Sequence, residues 1–162
     1  VAKSIAMSPD ITAALERLDL PAETSDPLWE QTLEVSSDAD LLSDARERVT
    51  AVLEPLSFPE SALFDIKVAL GEALANSIRH GQPEQGEAQI SVRVIAYGDR
   101  AVLEVHDNGP GFDGIHSGSD DVYAPNGRGV MFMNALMDRV EYAESATGGT
   151  LVRMTKHRPS DR

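Results

Sequence analysis

The stretch LFDIKVALGEALANSIRHG, residues 63–81, decides how this chain is read. At helical period, Leu63, Ile66, Leu70, Leu74 and Ile78 make an apolar stripe, while Asp65, Glu72, Asn76 and Arg79 fall on the opposite side. One face belongs to a core and the other is free for chemistry. Ala69, Ala73 and Ala75 thin the polar side, so Glu72 and Asn76, one turn apart, are expected to project together with room above them for a flat ligand. The same spacing also suits a surface helix that simply meets water, so the helix alone does not fix a function.

Outward from that helix the chain reads as alternating short elements. Gly81 and Pro83 stop the helix, and residues 82–86 form a loop. Ala88–Tyr97 and Arg100–His106 read as strands joined by Gly98-Asp99 in a tight hairpin. Residues 107–129 are rich in Gly, Ser and Asp, and so long a loop inside a compact domain is usually a functional lid or disordered. Val130–Met137 then reads as a short helix, and Arg139–Ala143 with Thr150–Lys156 as a closing hairpin around Gly148-Gly149.

Upstream, Trp29–Val35 alternates as an edge strand, and Ser36-Ser37-Asp38 caps a helix running to about Leu53. Leu41, Leu42, Ala45, Val49, Val52 and Leu53 carry its apolar spacing, and Pro55 and Pro59 separate it from the organising helix, whose entry at Ser57–Glu60 reads as capped. Residues 1–30 hold a helical pattern at Ile11–Leu18 and a Pro-broken stretch, and are assigned as an N-terminal extension. The domain proper is expected over 31–157, with a polar tail over 158–162. Strands grouped after helices and joined by hairpins predict a mostly antiparallel sheet with helices on one face, a two-layer α/β (α+β) sandwich. A parallel dinucleotide-binding topology does not fit, because Gly109-Pro110-Gly111 leaves a strand for a loop instead of opening a helix.

Fourteen basic against 27 acidic side chains in 162 residues give a net charge of −13, which argues against direct binding to nucleic acid or to an anionic membrane. Basic or metal-bridged partners suit such a surface better. With no Cys there is no disulfide framework and no thiolate chemistry, which fits a reducing cytoplasm. An uncharged apolar run of about 18 residues is missing, as is a signal-peptide core, so a soluble, cytoplasmic protein is expected.

Three motifs carry chemistry. In Asp107-Asn108-Gly109-Pro110-Gly111-Phe112, an acidic residue ends a strand and glycines let the backbone come close to a ligand. A carboxylate only accepts hydrogen bonds, so it would favour the amine of adenine over the carbonyl oxygen of guanine. The plainer reading is a glycine-rich turn with a solvated Asp. Asn126-Gly127-Arg128-Gly129-Val130 starts a helix, where exposed N–H groups and the dipole suit a phosphate and Arg128 could add a charge-assisted contact. An ordinary helix start with an exposed Arg is the alternative. Phosphates beside Glu72 in so acidic a protein need a cation; Asn76 could give magnesium a neutral oxygen, and Glu72 could act as general base on a hydroxyl or water attacking the γ-phosphate. Lys67 reads as solvated and His80 as a capping or packing residue.

In order, Glu72-Ala-Leu-Ala-Asn76 with His80-Gly81, Asp107-Asn-Gly-Pro-Gly-Phe, Gly127-Arg-Gly-Val and Gly148-Gly149-Thr150 resemble the N box, the two glycine boxes and the terminal Thr motif of the GHKL ATPases. Within that superfamily the compact size and Met137-Asp-Arg-Val140 are most similar to bacterial anti-sigma factor serine kinases, over about residues 30–156. The resemblance implies a Bergerat fold, bound ATP with magnesium, an anti-sigma factor antagonist and a sigma factor as partners, and a homodimer. It would make Glu72 the catalytic base, Asn76 the magnesium ligand and Asp107 the group that binds the adenine amine. Gly109 and Gly111 would shape the adenine floor, Gly127, Arg128 and Gly129 would close on phosphates, and Thr150 would reach adenine through water. One departure is Met131, where many relatives carry a further Gly.

Other readings stay open at this point. A sensor histidine kinase would need an upstream helical hairpin bearing its acceptor His, but the first His is His80, inside the pocket helix. A non-catalytic ATP-binding module that sequesters a partner has no need of Glu72. A clamp ATPase of the gyrase type would need a long C-terminal transducer.

Overall fold

The structure is a computed structural model and describes residues 26–35, 40–110, 127–144 and 149–159. The elements are β1 (Trp29–Val35), α1 (Asp40–Leu53), a 3-10 turn (Glu54–Leu56), α2 (Glu60–His80), β2 (Ile90–Ala96), β3 (Arg100–Asp107), α3 (Gly127–Leu136), β4 (Arg139–Glu144) and β5 (Thr150–His157). The strands form one sheet in the order β1-β2-β3-β5-β4, with every neighbouring pair antiparallel. This is the two-layer α+β sandwich that the grouping of elements predicts. Residues 1–25 of the 1–30 extension, the cap at 36–38, the 111–126 part of the long loop, Gly148 and residues 160–162 of the tail lie outside the described residues.

Period-2 alternation builds the floor of the core. In register, Leu33, Val92, Val105, Val152 and Tyr142 run across the five strands in one row facing the helices. Onto this row α2 presses Ile66, Leu70 and Leu74, each with no exposed surface. Burying a side chain of that size stabilises the fold by about 1.5–3 kcal/mol. Leu63 and Ile78 flank the stripe, half-buried against the same core.

Two expectations for α2 change. Ala69 and Ala73 do not thin a solvent-facing side; both are fully buried in the core. Their small size instead lets α2 sit close to its neighbours, since it packs against α1, α3, β3 and β5. The entry to α2 is also not side-chain capped: Pro59 is the N-cap, with ψ 152 and no side-chain hydrogen bond. Ser57 is occupied one step earlier, where at φ 62 it ends the 3-10 turn and donates its N–H to Glu54 O at 3.2 Å.

The sheet face turned away from the helices carries a charged row. Arg93, Glu104 and Arg153 are register partners. Arg93 donates to Glu30 at 2.8 Å and to Glu104 at 3.1 Å, and Arg153 Nε stands 3.7 Å from Glu104. Burial pushes the Glu104 carboxyl up, and the two arginines oppose that shift. Removing either arginine would leave a buried charge short of a partner.

On the helix side, burial pushes the Tyr142 phenol up to about 12 from an ordinary value of 10.0. A group whose folded value is raised stabilises fully below its unfolded value and loses that contribution as pH rises through the folded one. Stability is therefore expected to fall between about pH 10 and about pH 12, and Tyr142→Phe should flatten that slope. Alkaline titration followed by tyrosinate absorbance checks it; Tyr142 ionising at its ordinary value in the folded protein would refute the burial argument.

Candidate functional site

Asp107 is the last residue of β3, in the row that faces the helices, and is 5% exposed. Its Oδ1 accepts the N–H of Gly109 at 3.1 Å and the N–H of Thr150 at 3.2 Å. Among the described residues no donor meets Oδ2, so one oxygen is anchored and the other is left to accept from a ligand.

Three glycines make the cradle. A Cβ on Gly81 would lie 2.8 Å from Asp107 Cγ, one on Gly109 would lie 2.5 Å from Gly81 Cα, and one on Gly149 would lie 1.8 Å from Asp107 O. The end of α2, the turn after β3 and the start of β5 therefore meet backbone to backbone. None of the three glycines has a positive φ. Gly81 is the C-cap of α2, as expected of the helix stop, and at φ −88 its lack of a Cβ serves the close approach of Asp107.

One turn and more back along α2 lie the other polar groups. Gly81 abuts Asp107, Asn76 is five positions earlier and Glu72 nine, so at about 1.5 Å per residue they stand about 7.5 Å and about 13.5 Å along the axis. The first turn of α3 covers them: a Cβ on Gly129 would lie 2.8 Å from Glu72 Oε2 and 3.6–3.7 Å from the Asn76 amide. That turn brings the N-terminal N–H groups and the positive end of the α3 dipole to the same place. The space expected above Glu72 and Asn76 is thus bounded by α3. Among the described residues nothing donates to the buried Asn76 Oδ1, a costly state for an amide oxygen and one that a bound cation would relieve.

The residues singled out from sequence fall into two groups. Asp107, Gly109 and Thr150 meet at the cradle, Thr150 through its backbone N–H. Glu72, Asn76 and Gly129 meet at the α2–α3 contact, and Gly127 and Arg128 open the same first turn of α3. Gly111 and the side chain of Arg128 lie outside the described residues. Met131 is 46% exposed on α3. Sequence reasoning gave no site role to Gly81, Asn108 or Gly149, although each sits inside a quoted motif.

An antiparallel sheet under helices, with an acceptor at a strand end and an acid-amide pair on the covering helix, defines a class of nucleotide-handling domain. The chain belongs to the histidine kinase-like ATPase domain family, which matches residues 35–156. Within that family it is similar to an anti-sigma F factor of Thermoanaerobacter sp. (strain X514), 32% identical over 126 residues, 74% of this chain and 87% of the relative. It is also 28% identical over 138 residues to a serine-protein kinase RsbW of Listeria monocytogenes, covering 78% of this chain and 85% of that one. The branch is thus that of anti-sigma factors and serine-protein kinases.

Solved structures agree on the fold. The crystal structure of the RsbU and RsbW domains of a Mycobacterium tuberculosis protein superposes with a TM-score of 0.60 at 18% identity, over 81% of this chain and 33% of that one. A histidine kinase domain from Erythrobacter litoralis gives a TM-score of 0.50 at 16% identity, over 72% of this chain and 61% of that one.

Proposed function

We propose that this chain is an ATP-dependent serine/threonine protein kinase acting as an anti-sigma factor, which phosphorylates a serine of a small anti-sigma factor antagonist. The supporting observation is the layout along α2: an open carboxylate oxygen at Asp107, then Asn76, then Glu72 under the α3 N-terminus. That spacing follows a nucleoside triphosphate from base to γ-phosphate. Asp107 Oδ2 accepts the adenine amine, with Gly109, Gly111 and Thr150 around it. Gly127, Arg128 and Gly129 present N–H groups and charge to the phosphates.

Asn76 Oδ1 fits magnesium, which, when bound, neutralises charge on the phosphates. Glu72 takes the proton of the antagonist's serine as its oxygen bonds to the γ-phosphorus and the bond to the β-phosphate oxygen breaks, releasing ADP. The unphosphorylated antagonist and the sigma factor compete for the chain, so phosphorylation frees it for the sigma factor. The reading covers one ATPase domain over 31–157, working in the cytoplasm as a homodimer without direct contact to nucleic acid. No described helix is long and apolar enough to cross a membrane.

Calorimetry tests the base end. Asp107→Asn is expected to weaken ATP binding about 10- to 100-fold, the worth of a hydrogen bond to a charged group of roughly 1.5–3 kcal/mol. Unchanged affinity, or no adenine-nucleotide heat with the unsubstituted protein, would remove the assignment. Incubation with magnesium, labelled ATP and small antagonist proteins from the same genome tests the transfer; binding without transfer would leave an ATP-binding module that sequesters its partner.

A further inference from the structure

We propose that Asn108 is a positioning residue for base recognition, stapling the turn that carries Asp107 to the connection between α2 and β2. The proposal rests on the adenine reading of Asp107.

Three hydrogen bonds carry it. Asn108 Oδ1 accepts the N–H of Gln89 at 2.7 Å, Asn108 Nδ2 donates to Glu87 O at 2.9 Å, and the Asn108 N–H donates to Gln89 O at 3.2 Å. The partners fix the amide orientation, because a backbone N–H only donates and a backbone carbonyl only accepts. At its other end the same connection begins with Gly81, which touches both Asp107 and Gly109. Residues 81–89 therefore leave the Asp107–Gly109 turn and return to it, held by backbone contact at one end and by an amide side chain at the other.

The consequence is directional. Asp107 is set from two sides by Gly109 and Thr150 N–H groups, and the first of these belongs to the turn that Asn108 ties down. Loosening Asn108 frees Gly109 N and lets the carboxylate rotate away from its base-reading pose. Glu72 and Asn76 are fixed separately, by α2 and the first turn of α3. Base affinity and selectivity should respond to Asn108, while transfer at saturating ATP should not.

The side chain must offer an acceptor and a donor at fixed separation. Asp in its place keeps the bond to Gln89 but sets a carboxylate against the Glu87 carbonyl, and Ala removes both bonds. The test uses the whole chain with Asn108→Asp and Asn108→Ala, reading ATP and GTP affinity by calorimetry, amide exchange over residues 82–89, and transfer kinetics. Expected are faster exchange at Gln89 in Asn108→Ala, whose side chain no longer accepts that N–H, and in both variants ATP binding weakened about tenfold, a smaller preference for ATP over GTP, and kcat within about twofold of wild type. Faster exchange with unchanged ATP affinity and selectivity would overturn the proposal, showing a merely structural tie. So would a fall in kcat with affinity intact. Failure of the adenine reading looks different: it would appear as no effect of Asp107→Asn.

Discussion

Glu72→Gln is expected to lower phosphate transfer about 10²- to 10⁴-fold while leaving ATP affinity within about a factor of two, the pattern of a lost general base. Glutamine preserves the shape that meets Gly129, whose Cβ position lies 2.8 Å from Glu72 Oε2, so the α2–α3 contact should survive. What disappears is the capacity to take a proton. Single-turnover transfer to the antagonist, alongside calorimetry with ATP and magnesium, separates the two effects. Loss of binding in parallel with rate would mean that Glu72 holds α3 or the phosphates in place; transfer at the wild-type rate would mean that the base is elsewhere.

Much of this arrangement was legible in the sequence, for reasons that can be named. The strands alternate strictly enough that the Leu33–Val92–Val105–Val152 row follows from period 2 once the hairpin at Gly98-Asp99 is placed, and Tyr97 N indeed pairs with Arg100 O at 2.8 Å across it. The acid and amide on α2 could be set on one face from spacing alone. Local pattern could not say what lies over that face. Ala69 and Ala73 look the same in sequence whether they open a cleft or admit a neighbour, and only the tertiary packing assigns them to the core.

The glycines show the same boundary more sharply. Gly81, Gly109 and Gly149 come from three distant parts of the chain, and the reason each is glycine is the backbone of another element. Nothing within a few residues of Gly149 announces that Asp107 O will lie against it. Likewise Asn108 reads as a turn residue, and its bonds to Glu87 and Gln89, about twenty positions back, are invisible until β2 and β3 are paired.

Gly149→Ala should therefore be the most damaging of the small substitutions. A Cβ there would lie 1.8 Å from Asp107 O and 2.8 Å from Asp107 C, and neither backbone atom belongs to a flexible side chain that could step aside. The end of β3 or the start of β5 must move, which opens the 3.2 Å bond from Thr150 N to Asp107 Oδ1 one residue away. Overpacking of this kind costs about 1–3 kcal/mol, and ATP affinity should fall at least tenfold as the carboxylate loses an anchor. Gly98→Ala is the matched control, since a Cβ at Gly98 meets nothing within 4 Å and its φ is not positive. Its stability should stay within about 0.5 kcal/mol of wild type, with unchanged ATP affinity. Denaturant midpoints report the first effect and calorimetry the second. If Gly149→Ala bound ATP as tightly as Gly98→Ala, the close meeting of β3 and β5 would have no part in holding the base, and the open oxygen of Asp107 would have to be kept in place by something other than its cradle.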